Sequence, residues 1–169
     1  EITPDRLDYQ LLNIDLFIRL KDFERANVLL EKVLLQDPNN IAGLIHKSRI
    51  RFASGDLQGA YASIQKVVEM DKANFSALLL NGQILIKQTR LNDAIDQLIA
   101  AKTVNATSTS SRELLISIYK QQDNLELAIS ELNQLLKLRP SEPEYIYEKA
   151  KIYITLKQSE KAKGELDLL

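Results

Sequence analysis

The sequence predicts an all-α fold of tandem helix–turn–helix units, and three observations predict it. Alanines at 26, 60, 94, 128 and 162 recur every 34 residues, a period in the range of helical repeats. Their neighbourhoods keep the period, with Phe23, Leu57, Leu91, Leu125 and Ser159 three residues before and Leu30, Ile64, Leu98, Leu132 and Leu166 four after. Breakers share a register as well: Pro38 follows Asp37 and Pro140 follows Arg139, where a proline stops one helix before the next begins.

Counting from the alanines gives units 7–40, 41–74, 75–108, 109–142 and a shorter 143–169, read as one array over 1–169. At the front, Thr3-Pro4-Asp5 reads as an N-cap, a first-turn proline and an early acid. In the second unit, Ala42 to Ala53 carries Leu44, Ile45, Ile50 and Phe52 at helical spacing. Ser54-Gly55-Asp56 makes the turn and Leu57 to Met70 resumes with Ala60, Ile64, Val67 and Val68. Between the third and fourth units, the serine and threonine run from Thr103 to Ser111 reads as a junction with capping residues, with a hinge or modification site as the alternative. At the back, Leu166, Leu168 and Leu169 stop in mid-helix without a polar closing helix. Solenoids need such a cap, so the chain is expected to continue or to be covered there by another copy.

Composition narrows the function. With 45% hydrophobic and 27% charged residues, five Gly and four Pro, the chain is neither disordered nor fibrous. Its 22 basic and 23 acidic residues nearly cancel, so it lacks the broad basic field of a nucleic-acid binder. Without cysteine there are no disulfides, thiolate zinc sites or cysteine nucleophiles. The apolar runs, such as Ala77 to Leu80, are far shorter than a membrane span. Asn74-Phe75-Ser76 and Asn105-Ala106-Thr107 fit the short glycosylation pattern.

The 34-residue period, with a small residue, an aromatic or leucine and a terminal proline at fixed offsets, resembles the tetratricopeptide repeat family across essentially the whole chain. The resemblance implies a right-handed superhelical solenoid of about five repeats. The family's small position, twelve before the alanine, holds Ile14, Ser48, Gly82, Ile116 and Ala150; its tyrosine-like position, nine before, holds Phe17, Arg51, Leu85, Tyr119 and Tyr153. Ile14 and Ile116 are bulky for the first position, and Arg51 is the exception at the second. Segments 76–85 and 112–119 are similar to bacterial multi-repeat members serving envelope assembly, pilus biogenesis or polysaccharide export, a resemblance that favours a periplasmic or envelope-associated setting over a cytoplasmic one and leaves the compartment open.

The same resemblance implies that first helices line a concave surface. Its apolar positions are Leu11 and Ile18, Ile45 and Phe52, Leu79 and Ile86, and Tyr147 and Ile154, with Glu113 and Lys120 as a charged interruption in the fourth unit. Asp15, Arg49, Gln83 and Lys151 stand beside them to set a partner's orientation. Such a strip suits the apolar face of a partner helix or a peptide with spaced anchors. The lysine, asparagine and arginine clamp by which co-chaperone members hold a terminal carboxylate is not rebuilt, since Leu11, Asp15, His46, Ser76 and Leu80 occupy one frame. His46, Lys47, Arg49 and Arg51 form the densest basic cluster, suited to an acidic peptide, to phosphate groups or to a solvated face.

Nothing points to catalysis. One histidine precludes a histidine metal cluster, and there is no phosphate-cradling glycine loop. Ser63…Lys66 and Ser117…Lys120 fit the S-x-x-K spacing without its companion motifs. The expected function is therefore a non-catalytic scaffold without cofactor or metal, binding a protein or peptide rather than nucleic acid. The alternative is self-assembly through the open last repeat into a homo-oligomer.

Overall fold

Amphipathic segments of nearly equal length, separated by three or four polar residues, form helices that can bury their apolar stripes only by pairing. The structure, a computed structural model, describes residues 6–167. The expected helix start at Thr3-Pro4-Asp5 and the terminal Leu168-Leu169 lie outside them. Among the described residues the fold is all helix: α1 (Leu7–Arg19), α2 (Phe23–Gln36), α3 (Ile41–Ala53), α4 (Leu57–Met70), α5 (Phe75–Lys87), α6 (Leu91–Val104), α7 (Thr109–Gln121), α8 (Leu125–Leu138), α9 (Pro143–Thr155) and α10 (Ser159–Leu166). The odd-numbered helices begin 34 residues apart.

The turn inside each pair is built one way five times. Lys21, Gly55, Thr89, Asp123 and Lys157 all take positive φ, between 57° and 85°. The next residue's N–H then reaches back to close the helix, as Asp56 N donates to Arg51 O at 2.9 Å and Asn124 N to Tyr119 O at 2.8 Å. This is the Schellman closure, which satisfies carbonyls the helix end leaves open. Only Gly55 adopts that conformation without steric cost.

Junctions between pairs use short polar caps. Asn40 and Asn74 accept from Gly43 N at 2.9 Å and Ala77 N at 3.0 Å, which satisfies first-turn donors. The serine and threonine run makes the same backbone turn, Ser108 N to Asn105 O at 3.2 Å, with no side-chain cap from Ser108. Asn74 also donates to Asp71 at 3.1 Å, so its amide helps hold the junction.

Two compact units divide the chain, residues 1–97 and 98–169. In the first, α3 packs against α1, α2, α4 and α5. Its cores are Ile14, Ala26, Leu30, Val33 and Ile50, and then Leu44, Ile64, Val67, Leu80 and Ile84 with their neighbours. In the second, α8 lies against α7 and α9, and α9 against α10, over buried Leu115, Ile118, Leu132, Leu135 and Ile152. All five periodic alanines are buried, because a methyl lets paired helices approach closely. Ile14 and Ile116 at the small position are buried too, their bulk serving as core. Ser48 there donates to Ala60 O at 2.9 Å. Arg51, the exception at the tyrosine-like position, donates to Gly59 O at 3.1 Å. A Cβ on Gly59 would run into the Asp56 carboxylate and lie 2.7 Å from the Arg51 guanidinium, so the glycine makes room for both the capping acid and the arginine.

Candidate functional site

First helices bring the expected binding residues to one register, and each unit treats them differently. In the first unit, Leu11 and Ile18 on α1 and Phe52 on α3 are half-buried and pack against the cores. Ile45 is only 9% exposed and is itself core: α3 is flanked on several sides, so its inward turn has no open face. Leu79, Gln83 and Ile86 on α5 are half-buried. Asp15 and Arg49, expected to orient a partner, hold one another at 3.2 Å. Asp15 also takes Arg19 at 2.6 Å. The hydrogen bond from Arg19, aided by the charges of Arg19 and Arg49, holds the Asp15 carboxyl below its usual range.

In the second unit the charged interruption is tied to the next first helix. Tyr145 donates to Glu113 at 2.6 Å and Lys120 to Glu148 at 2.7 Å. Glu148 also pairs with Lys151, and these two lysine hydrogen bonds keep its carboxyl below its usual range. Burial first, and the bond to Glu113 second, push the Tyr145 phenol up. A 360 Å³ cavity opens here, lined by α7, α8 and α9 residues including Ser117, Leu132 and Tyr145. Beside it, Tyr147 and Ile154 are 55% and 59% exposed, with the Lys151 ammonium 5.0 Å from the Tyr147 ring centroid. Tyr147, Lys151 and Ile154 are the most open of the expected binding residues.

The basic cluster of α3 divides. His46 is buried, Arg49 turns to Asp15, and Lys47 and Arg51 face away toward α2 and α4. Sequence reasoning missed the tie of Lys102 and Arg112 to Glu131, at 2.5 and 2.7 Å, which draws one carboxylate of α8 into the interior. Neither S-x-x-K pair forms a nucleophile and its base. Ser63 donates to Gly59 O at 2.8 Å while Lys66 reaches Pro38 O at 3.3 Å, and Lys120 is held by Glu148. Among the described residues no group of three metal-ligating side chains comes together, and no helix is long and apolar enough to cross a membrane.

Helix pairs of this length, closed by a Schellman turn and locked on a periodic alanine, define the class of helical repeat proteins. A family model described as tetratricopeptide repeat matches residues 117–142, and solved tetratricopeptide structures superpose on nearly the whole chain. The P. aeruginosa pilF structure gives a TM-score of 0.83 at 21% identity, over 95% of this chain and 73% of that one. MamA from Desulfovibrio magneticus RS-1 gives 0.80 at 20%, over 96% and 92%. YrrB, described as a TPR protein with an unusual peptide-binding site, gives 0.75 at 19%, over 95% and 82%. The chain has the tetratricopeptide repeat fold, and its residues 117–142 match the family's own model.

Sequence similarity runs elsewhere. The chain is 30% identical over 123 residues to the transcription factor tau 131 kDa subunit of Saccharomyces cerevisiae, covering 73% of this chain and 12% of that protein. It is 22% identical over 116 residues to human general transcription factor 3C polypeptide 3, covering 69% and 13%. The chain thus spans about an eighth of the length of the curated relatives it matches.

Proposed function

We propose that the chain is a non-catalytic protein-interaction scaffold whose first-helix faces hold a helix or peptide of a partner, within a larger transcription-factor-like protein. The observation that carries the binding role is the open pair Tyr147 and Ile154, one aromatic and one aliphatic anchor two turns apart on α9 with Lys151 between them. Exposed anchors at that spacing fit an amphipathic helix or an extended peptide. The transcription-factor setting is supported by two relatives matched in sequence over more than two thirds of this chain. A pilus or envelope setting has the bacterial structures behind it, but identities of 19–21% speak for the fold alone.

The test is affinity capture from a lysate of the source organism with the parent and a Tyr147→Asp/Ile154→Asp variant, read by mass spectrometry. Both side chains are exposed, so helical content should be unchanged by circular dichroism. Transcription-factor subunits retained by the parent and lost by the variant are the expected result; identical lists would sink the α9 binding surface. Phe52→Asp is the poorer probe, because Phe52 packs against the core. A second reading, self-association, rests on the exposed leucines 12, 16 and 20 of α1 and its cap, and on Leu166 at the end of α10.

A further inference from the structure

The second helices of the first unit carry an open furrow that the family's first-helix face does not use. One part is a 970 Å³ cavity between α2 and α3, reached by Val28 and Leu35 from one wall and by Lys47 and Arg51 from the floor. The other part, 380 Å³, runs on to Pro38, Ser63 and Lys66 of the α4 side. Both share Leu34, Lys47 and Arg51, so they form one continuous depression. Its charged lining is Lys32, Lys47, Arg51 and Lys66 against the single acid Glu31. Lys66 is bonded to a backbone carbonyl that leaves its charge uncancelled, whereas Arg51, bonded to Gly59 O, also pairs with Asp56 at 3.8 Å. Lys47 is half-buried, and no hydrogen bond or ion pair to it is formed among the described residues. Leu35, at the rim, is 84% exposed.

The stem of Lys47 is shielded while its ammonium has no anion, so a carboxylate partner would find a cation ready to pair, and an apolar side chain as exposed as Leu35 beside it offers an anchor contact. We propose that this furrow binds an acidic segment of a partner protein bearing an apolar anchor, the carboxylates meeting Lys47, Arg51 and Lys66 and the anchor covering Val28 and Leu35. The site shares no residue with the α9 surface. Four basic side chains against Glu31 and the Asp56 partner of Arg51 leave the furrow net basic, which sets the choice of an acidic ligand. The reading of α9 as a docking face is not needed for it.

The test is a selection of short random peptides on the full chain, with counter-selection against a Leu35→Asp/Lys47→Glu variant whose helical content is checked by circular dichroism. Peptides rich in Asp and Glu with an interspersed Leu, Ile or Phe should survive, bind the variant about tenfold or more weakly, and weaken as salt is added. They should bind Tyr147→Asp/Ile154→Asp as tightly as the parent, which separates this site from the α9 surface. Neutral or basic peptides, or acidic ones that bind the variant equally, would overturn the proposal. So would a dimer in sedimentation equilibrium that Leu35→Asp dissolves, since a second copy would then fill the furrow.

Discussion

Removing the Glu131 carboxylate strands two cations that the second unit has partly buried. Lys102 and Arg112 reach it at 2.5 and 2.7 Å, with all three side chains mostly shielded from water. Breaking a buried pair on one side costs about 3 kcal/mol or more. Glu131→Ala is therefore expected to lower the urea midpoint by that equivalent. Glu148→Ala, whose lysine partners lie at the surface, should cost well under about 1 kcal/mol. Equal losses in urea titrations would refute the distinction. His46 carries the pH dependence at this scale. Burial first, and the nearby Arg49 second, push its imidazole below the usual 6.5, against a weaker pull from Asp15. Below 6.5 the unfolded chain takes up a proton that the folded one resists, so stability is full above that pH and falls as pH drops through it toward the lowered folded value. With no other histidine in the chain, the urea midpoint should fall as pH drops below the usual imidazole range and His46→Gln should flatten that slope; an unchanged slope would show that another group titrates.

Each helix turn repeats one backbone shape on five different sequences, and Thr89 carries it at the greatest cost. A β-branched residue at φ 59° sits where its side chain crowds the backbone. Thr89→Gly should therefore stabilise by about 1 kcal/mol, read as a rise in thermal midpoint, with the extra entropy of glycine limiting the gain. A fall in midpoint would mean that the Thr89 hydroxyl, 2.6 Å from Gln88 O, matters more than the strain. The helices were legible in the sequence because an alanine must stand wherever two of them cross. The shared left-handed turn was not, since only Gly55 announces it while Lys21, Thr89, Asp123 and Lys157 conceal it. The candidate site was legible in register but not in exposure. Ile45 and Tyr147 occupy the same repeat position, yet one is walled in by neighbours and the other is open. The Asp15 and Arg49 pair could have been read, as opposite charges one period apart. Glu113 with Tyr145 and Lys120 with Glu148 lie off that period and depend on side-chain reach, which a linear pattern does not encode.

The molecule as a whole carries a formal charge of -1 at pH 7 and a pI near 6.0, so long-range repulsion does little to keep copies apart. Against that weak barrier stand Leu12, Leu16 and Leu20, exposed at helical spacing along α1 and its cap. A run of leucines on one helix face offers enough apolar area for a second helix to cover. Sedimentation equilibrium of the parent should therefore show average mass rising with concentration, more steeply as pH is lowered from 7 toward 6 and the residual charge vanishes. Leu16→Asp places a carboxylate in the middle of the stripe and should return the protein to a monomer without loss of helix. It should also leave capture of partners through Tyr147 and Ile154 intact, because those side chains lie on α9 in the other unit. A monomer at every concentration and pH would remove self-association, whereas a Leu16→Asp variant that stays associated would move the contact from α1 to the exposed Leu166 end of α10.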